Sequence, residues 1–112
     1  MKSILVVLSI LTSLNGIAQT GSEILLFDLK VKKNKITISN PTNITNHPGY
    51  DNQPGFNRTD PVLYYSSFND EGRADIKSYN YETRETVSIT QTTEREYSPT
   101  HTPDNTYLSC II

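Results

Sequence analysis

The sequence predicts an all-β fold, and three observations lead to this prediction. Apolar and polar residues alternate with a period of two over several short runs, which is the spacing of a half-buried strand. Clusters of Asn, Asp, Gly and Pro separate these runs, as is typical of turns. From residue 19 onwards, no stretch of useful length carries apolar residues at helical spacing. We therefore expect about eight short strands, arranged in antiparallel sheets.

The first 18 residues have the pattern of a secretory signal peptide. Lys2 gives a positively charged start, an apolar run follows at residues 4–11, and Gly16 and Ala18 are the small residues that precede a cleavage site. The apolar run is shorter than the roughly 20 residues that a membrane-spanning helix needs. We expect cleavage after Ala18, so that the mature chain is residues 19–112, has no membrane span and is periplasmic or secreted.

The first half of the mature chain is predicted to contain one hairpin followed by a loop. Its strands are residues 23–29 and 35–39, which flank the polar turn 32–34. Asn40-Pro41 is expected to end the second strand, because proline cannot donate a hydrogen bond to a sheet. Residues 46–54 are rich in Asn, Pro, Gly and Asp, and this composition predicts a loop.

The second half contains the strongest strand signals. Residues 62–68 are rich in aromatic and β-branched residues, and the turn 69–72 ends in a glycine that can adopt a positive φ. Alternation then resumes, so the sequence predicts four further strands: residues 74–81, 86–90, 98–102 and 107–112.

An internal similarity groups these strands. The triplet Ile44-Thr45-Asn46 matches Ile89-Thr90-Gln91, and the same spacing of 45 residues separates Pro54 from Pro99 and Leu63 from Leu108. Upstream, Glu23-Ile24 matches Asp75-Ile76 at a spacing of 52, which indicates a longer hairpin in the first copy. A period near 45 with about four strands per copy is typical of a β-propeller blade, and an all-β sandwich with coincidental similarity is the alternative.

This period predicts antiparallel four-stranded blades in an incomplete propeller of about two blades. The predicted parts are a half blade at 22–45, a full blade at 53–91 and a half blade at 97–112. Because a propeller closes with about four to eight blades, such a chain would leave strand edges open at both ends.

Several motifs resemble those of one propeller family. Residues 22–29 resemble a strand of the WD-repeat-like propellers related to the TolB C-terminal domain, and residues 50–56 resemble the joint between their blades. Residues 102–105 nearly match the family's Pro-Asp-Gly turn, with Asn105 in place of glycine, whereas the first copy of this turn reads Arg58-Thr59-Asp60. The resemblance covers almost the whole mature chain. It implies the N-terminal fragment of a larger secreted propeller of the Bacteroidota type.

Two predicted inter-blade loops hold the candidate binding residues, which are polar or aromatic. They are His47, Tyr50, Asp51 and Asn52 in the first loop and Glu94, Arg95, Glu96 and Tyr97 in the second. Side chains from such loops could converge on one face of a propeller and bind a polar ligand or a cation. The alternative is that Asp51 and Glu96 accept hydrogen bonds from backbone donors within tight loops.

Catalytic and metal sites are not predicted. Ser98, His101 and Asp104 have the residue types of a hydrolytic triad, but they lie within seven residues of one another along the chain, and triads usually draw on distant segments. The single cysteine excludes a disulfide framework and a structural zinc site built on cysteines. A net charge of −2 argues against a nucleic-acid-binding protein. We expect no cofactor.

The predicted function is that of an exported, non-catalytic propeller segment that serves as a protein-interaction or ligand-binding platform. Its expected partners are proteins of the cell envelope, and open strand edges are expected to allow self-association. Two alternatives remain open. The chain could be the propeller portion of a secreted hydrolase or peptidase whose catalytic part is missing, or a non-functional remnant of a truncated reading frame.

Overall fold

The computed structural model describes residues 21–112, and the predicted leader at residues 1–18 lies outside this range. The described residues form eight β-strands and no helix, which confirms the all-β prediction. No helix in this range is therefore long and apolar enough to cross a membrane. The strands are β1 (Leu25–Lys32), β2 (Lys35–Asn43), β3 (Asp51–Phe56), β4 (Val62–Phe68), β5 (Ala74–Asn80), β6 (Glu85–Ser88), β7 (Tyr97–His101) and β8 (Leu108–Ile111).

The eight strands form three antiparallel sheets. A central four-stranded sheet has the order β3-β4-β5-β6, so each strand pairs with its neighbour in the chain. The hairpin β1-β2 precedes the central sheet and the hairpin β7-β8 follows it. The predicted turn between β4 and β5 is present, and Gly72 has φ +72°, a conformation that glycine adopts without steric cost.

The predicted end of the second strand at Asn40-Pro41 is wrong, because β2 continues to Asn43. A β-bulge explains how the strand accommodates proline. The register shifts between Leu26 and Asp28, which leaves Asn40 and Pro41 outside the regular pairing, where a missing N–H costs no ladder bond. Asn40 has φ +51°, and its side-chain amide donates to the Asp28 carboxylate at 2.8 Å.

The predicted loop 46–54 is also wrong in its second half, because β3 begins at Asp51. A β-bulge again accommodates the proline. The register of β3 shifts between Asn52 and Gly55, and Gln53, just before Pro54, has φ +53°. Bulges permit a Gln-Pro pair on an edge strand, whereas propensity alone indicates a loop.

The hairpin β7-β8 has the same pairing as β3-β4. Asn52 pairs with Ser66 and Gly55 with Tyr64, while Tyr97 pairs with Ile111 and Thr100 with Ser109, so every number is higher by 45. Ser98, which precedes Pro99 in the β7 bulge, also has φ +53°. The two strand pairs therefore have one geometry in two places.

The hairpin β1-β2 begins with the pairing of β5-β6. Lys77 pairs with Ser88 in the central sheet, and Leu25 pairs with Asn43 in the hairpin. An equivalent hydrogen bond to a threonine hydroxyl is also present in both regions. The N–H of Ile76 donates to the Thr90 hydroxyl at 2.8 Å, and the N–H of Ile24 donates to the Thr45 hydroxyl at 3.1 Å. Beyond the bulge, β1 and β2 extend further than β5 and β6.

The hydrophobic cluster of the described residues lies on one face of the central sheet, while Ala74 and Ile76 are buried on the opposite face. Leu63, Tyr65 and Tyr79 on that face form a cluster with Ile24 and Ile44, which flank the first hairpin. The second hairpin packs on the opposite face, where the His101 ring lies edge-on to Tyr64 with a centroid separation of 4.6 Å. The two hairpins therefore lie on opposite faces of the central sheet.

Candidate functional site

The first predicted loop is a tight connection between β2 and β3. The Asn43 side-chain oxygen accepts hydrogen bonds from the N–H groups of Thr45 and Asn46, at 3.1 and 3.0 Å. Further along, the Asp51 N–H donates to the carbonyl of Ser22 at 3.0 Å, and the Ser22 hydroxyl donates to the carbonyl of Asp51 at 2.7 Å. Backbone pairing to Ser22 thus fixes the start of β3 and the position of Asp51.

Asp51 is the most buried residue of the predicted set, with 1% of its surface exposed. One carboxylate oxygen lies 3.1 Å from Nε2 of His47, and neither oxygen has another hydrogen-bond partner in the described part of the chain. Nδ1 of His47 lies 2.8 Å from the carbonyl of Pro48, which holds the ring against the loop. The structure therefore joins His47 and Asp51 as a pair that is closed to solvent on the carboxylate side.

Two further polar residues, which the sequence analysis missed, lie in line with Asp51. Asp51 pairs with Ser67 on β4, and Ser67 pairs with Asp75 on β5, so the three side chains share one face of the sheet. All three residues are buried, and the Ser67 hydroxyl and one Asp75 oxygen have no hydrogen-bond partner among the described residues. The other Asp75 oxygen accepts a hydrogen bond from the Asn69 amide at 2.9 Å. Strand alternation could have indicated this row, but only if the start of β3 had been recognised.

A buried tyrosine lies on the same face. Burial and, to a smaller extent, the charge of Asp51 raise the pKa of Tyr65 to about 12, although a hydrogen bond with Thr86 acts in the opposite direction. Both main causes disfavour the phenolate, so Tyr65 stays protonated and packs as a core residue.

In the second predicted loop, Glu96 is buried but has its own donors. The hydroxyl of Thr92 donates to one carboxylate oxygen, and the hydroxyl of Thr90 donates to the other at 3.3 Å. The Glu96 N–H donates to the carbonyl of Ala74 at 2.8 Å. These bonds within the loop agree with the structural interpretation of Glu96. Its neighbours Glu94 and Arg95 are exposed and form no ion pair within residues 21–112.

The two loops meet at one aromatic side chain. Tyr50 lies edge-on to Phe68 with a centroid separation of 5.3 Å, and Tyr97 lies 6.3 Å from the same ring. Asn52, the remaining predicted residue, is half-buried and pairs with Ser66 on β4. The structure therefore brings Tyr50 and Tyr97 together around Phe68, and it leaves Tyr50, Glu94 and Arg95 as the exposed members of the predicted set.

The described residues contain no group of three or more His, Cys, Asp or Glu side chains that could hold a metal ion. Ser98, His101 and Asp104, which have the residue types of a hydrolytic triad, form no hydrogen bond with one another in the described part of the chain. Asp104 accepts a hydrogen bond from the Thr102 hydroxyl at 2.5 Å, which lowers its pKa, and both ring nitrogens of His101 are buried without a hydrogen-bond partner in residues 21–112.

Six exposed large apolar residues lie on one side of the first hairpin, and the sequence analysis did not single them out. Leu29 pairs with Ile38 and Val31 with Ile36, so their side chains share one side of the hairpin. We call this surface the hairpin face; its six exposed apolar residues are Leu25, Phe27, Leu29, Val31, Ile36 and Ile38. The opposite side carries the pairs Lys30–Thr37 and Lys32–Lys35. Alternation within residues 25–38 was the available signal.

No protein-family model, curated protein or solved structure matches this chain. The function of the chain therefore has to be inferred from the geometry of the described residues.

Proposed function

We propose that this chain is an exported, non-catalytic segment of a TolB-like β-propeller that acts as a protein-interaction platform, and that it binds protein through the hairpin face. One observation carries the proposal. Phe27 occupies the position on β1 that Tyr79 occupies on β5, yet Tyr79 is buried in the core and Phe27 is 47% exposed. A position that belongs to the core in one sheet is thus accessible in the other.

Three features support the propeller part of the proposal. The central sheet has four antiparallel strands in chain order, which is the topology of a propeller blade. The pairing of β7-β8 and the bulge before Pro99 match those of β3-β4 at a spacing of 45 residues. The Thr45 and Thr90 hydroxyls each accept the N–H of an isoleucine at the start of an equivalent strand. Export is proposed from the leader pattern at residues 1–18.

The chemistry of the hairpin face favours a protein as the ligand. Contiguous exposed apolar surface on a protein typically marks an interaction site. Leu29 and Ile38 are each 64% exposed, and both belong to a face without a charged residue on its paired positions. Tyr50, Glu94 and Arg95 are exposed in the two loops, where they would contribute specificity rather than buried apolar area.

Photo-cross-linking in the producing cells tests this proposal. A photoreactive amino acid at Leu29 should form adducts with protein in several times the yield obtained from the same probe at Glu82. Glu82 is an exposed residue in the turn between β5 and β6 and serves as the matched control. Equal yields from the two positions would contradict a binding role for the hairpin face.

A further inference from the structure

The two hairpins carry complementary halves of a four-stranded sheet. The pairing of β7-β8 matches that of β3-β4, and the first pairs of β1-β2 match those of β5-β6. In the central sheet, β4 and β5 pair along one edge of each strand. The equivalent edges of β8 and β1 have no partner strand among the described residues. Each hairpin therefore lacks the two strands of a four-stranded sheet that the other hairpin could supply.

We propose that β8 of one copy of this chain pairs antiparallel with β1 of a second copy. Strands β7 and β8 of the first copy and β1 and β2 of the second then form one sheet with the strand order of the central sheet. This inference rests on the proposed function, because it takes a second copy of the chain as a protein partner of the first hairpin and places that copy at the free edge of β1. Free strand edges are established sites for such pairing.

Within one copy, the described residues keep the free edges of β1 and β8 apart. The two hairpins pack on opposite faces of the central sheet, with Ile24 and Ile44 against one face and His101 and Tyr97 against the other. The central sheet separates the free edges of β1 and β8 within one chain. A second copy supplies both edges without any change in this packing.

The central sheet also specifies the register. Leu63 pairs with Tyr79 and Tyr65 with Lys77 between β4 and β5. The corresponding pairs between copies are Leu108 with Phe27 and Cys110 with Leu25. This register places accessible side chains next to each other, because Leu25 and Phe27 are 49% and 47% exposed, Leu108 is half-buried and Cys110 is exposed. Cross-strand apolar pairs of this kind stabilise a sheet.

The geometry also predicts the size of the assembly. The contact joins different surfaces of the two copies, so it generates a ring where the rotation closes. Each copy adds one central sheet and one shared sheet. Because propellers close with about four to eight blades, the ring should contain about two to four copies.

Disulfide formation tests the register directly. Cys110 is the only cysteine of the chain and is exposed. Expressed from the full reading frame, the Leu25→Cys variant should form disulfide-linked dimers and higher species under mild oxidation. The matched control is Leu29→Cys, which lies on the same face of β1 but roughly 13 Å further along the strand. The Leu25→Cys, Cys110→Ser double variant should form no such series.

The cross-linking outcomes separate this inference from the proposed function. Faster linking of Leu25→Cys than of Leu29→Cys supports the register, whereas equal rates or efficient Cys110–Cys110 linking in the unmodified chain would overturn it. The mass of the unmodified chain in solution provides a second measurement, with particles of two to four copies expected. A chain that stays monomeric at high concentration, while the Leu29 probe captures a different protein, would overturn the second-copy inference and leave the proposed function standing.

Discussion

The β1-β2 hairpin begins with the same pairing as β5-β6 of the central sheet, but the two regions differ in what covers them. In the central sheet, Ile76 is fully buried and Tyr65 is 1% exposed, whereas Val31 and Ile36 in the hairpin are 67% and 66% exposed. Alternation determines which side chains share a face, and neighbouring elements determine whether that face is buried. The hairpin face is therefore core-like in composition, and it lacks only a covering element among the described residues.

The largest expected effect comes from the register-equivalent pair Tyr79 and Phe27. Tyr79→Ala should lower the free energy of unfolding by about 3–5 kcal/mol, the range for buried aromatic side chains, because it opens a cavity against Ile24 and Ile44. Phe27→Ala should cost less than about 1 kcal/mol, because this side chain is largely in solvent. Denaturant unfolding at a concentration where the chain is monomeric measures both values. Similar losses for the two variants would mean that Phe27 is covered within one chain.

A smaller effect distinguishes the acids of the two loops, Asp51 and Glu96. Glu96→Gln should destabilise the chain by about 1–3 kcal/mol. It replaces one of the two carboxylate oxygens by an amide nitrogen, which cannot accept the hydrogen bond from the Thr90 or Thr92 hydroxyl. Asp51→Asn should change stability by less than about 1 kcal/mol, because loss of the contact with the partly exposed His47 at 3.1 Å is offset by relief of the cost of burying a charge. Thermal unfolding of both variants at pH 7 tests this contrast. A larger loss for Asp51→Asn than for Glu96→Gln would reverse our interpretation of the two loops.

The smallest effect concerns pH and the core tyrosine Tyr65. Its pKa is raised to about 12 by burial and by Asp51, so the folded chain holds a proton that the unfolded chain releases above pH 10. This contribution to stability is complete below pH 10 and is lost as the pH rises towards 12. Tyr65→Phe should flatten this part of the stability profile, and Tyr107→Phe, at an exposed position, should leave it unchanged. Identical profiles for the two variants would contradict the burial of Tyr65.

The sequence predicted the strand content well where alternation and propensity agree. Residues 62–68 were predicted as a strand with the bounds that the structure has, and the glycine turn at 69–72 was correct. The predictions failed at Asn40-Pro41 and Gln53-Pro54, where a bulge accommodates proline within a strand. A bulge depends on pairing with a distant strand, so local sequence does not reveal it. Missing β3 in turn concealed the row formed by Asp51, Ser67 and Asp75.

The candidate site was predicted in part for a similar reason. The loops were recognised from their composition, and the structure joins His47 with Asp51 and brings Tyr50 and Tyr97 to Phe68. The composition of the loops does not indicate which acids are buried: Glu96 accepts hydrogen bonds from the Thr90 and Thr92 hydroxyls of its own loop, whereas the Asp51 carboxylate has only the His47 ring as a polar partner among the described residues. The hairpin face was overlooked because alternation alone does not indicate that a face lacks a cover.

Amide hydrogen exchange as a function of protein concentration tests the central claim most directly. We predict that the β1 amides that do not bond to β2, and those of β8 that do not bond to β7, exchange rapidly in dilute solution. Their exchange should slow as the concentration rises, with the same midpoint as the increase in mass, while the amides of β4 and β5 stay protected throughout. Rapid exchange of the β1 and β8 edge amides at every concentration would contradict the account.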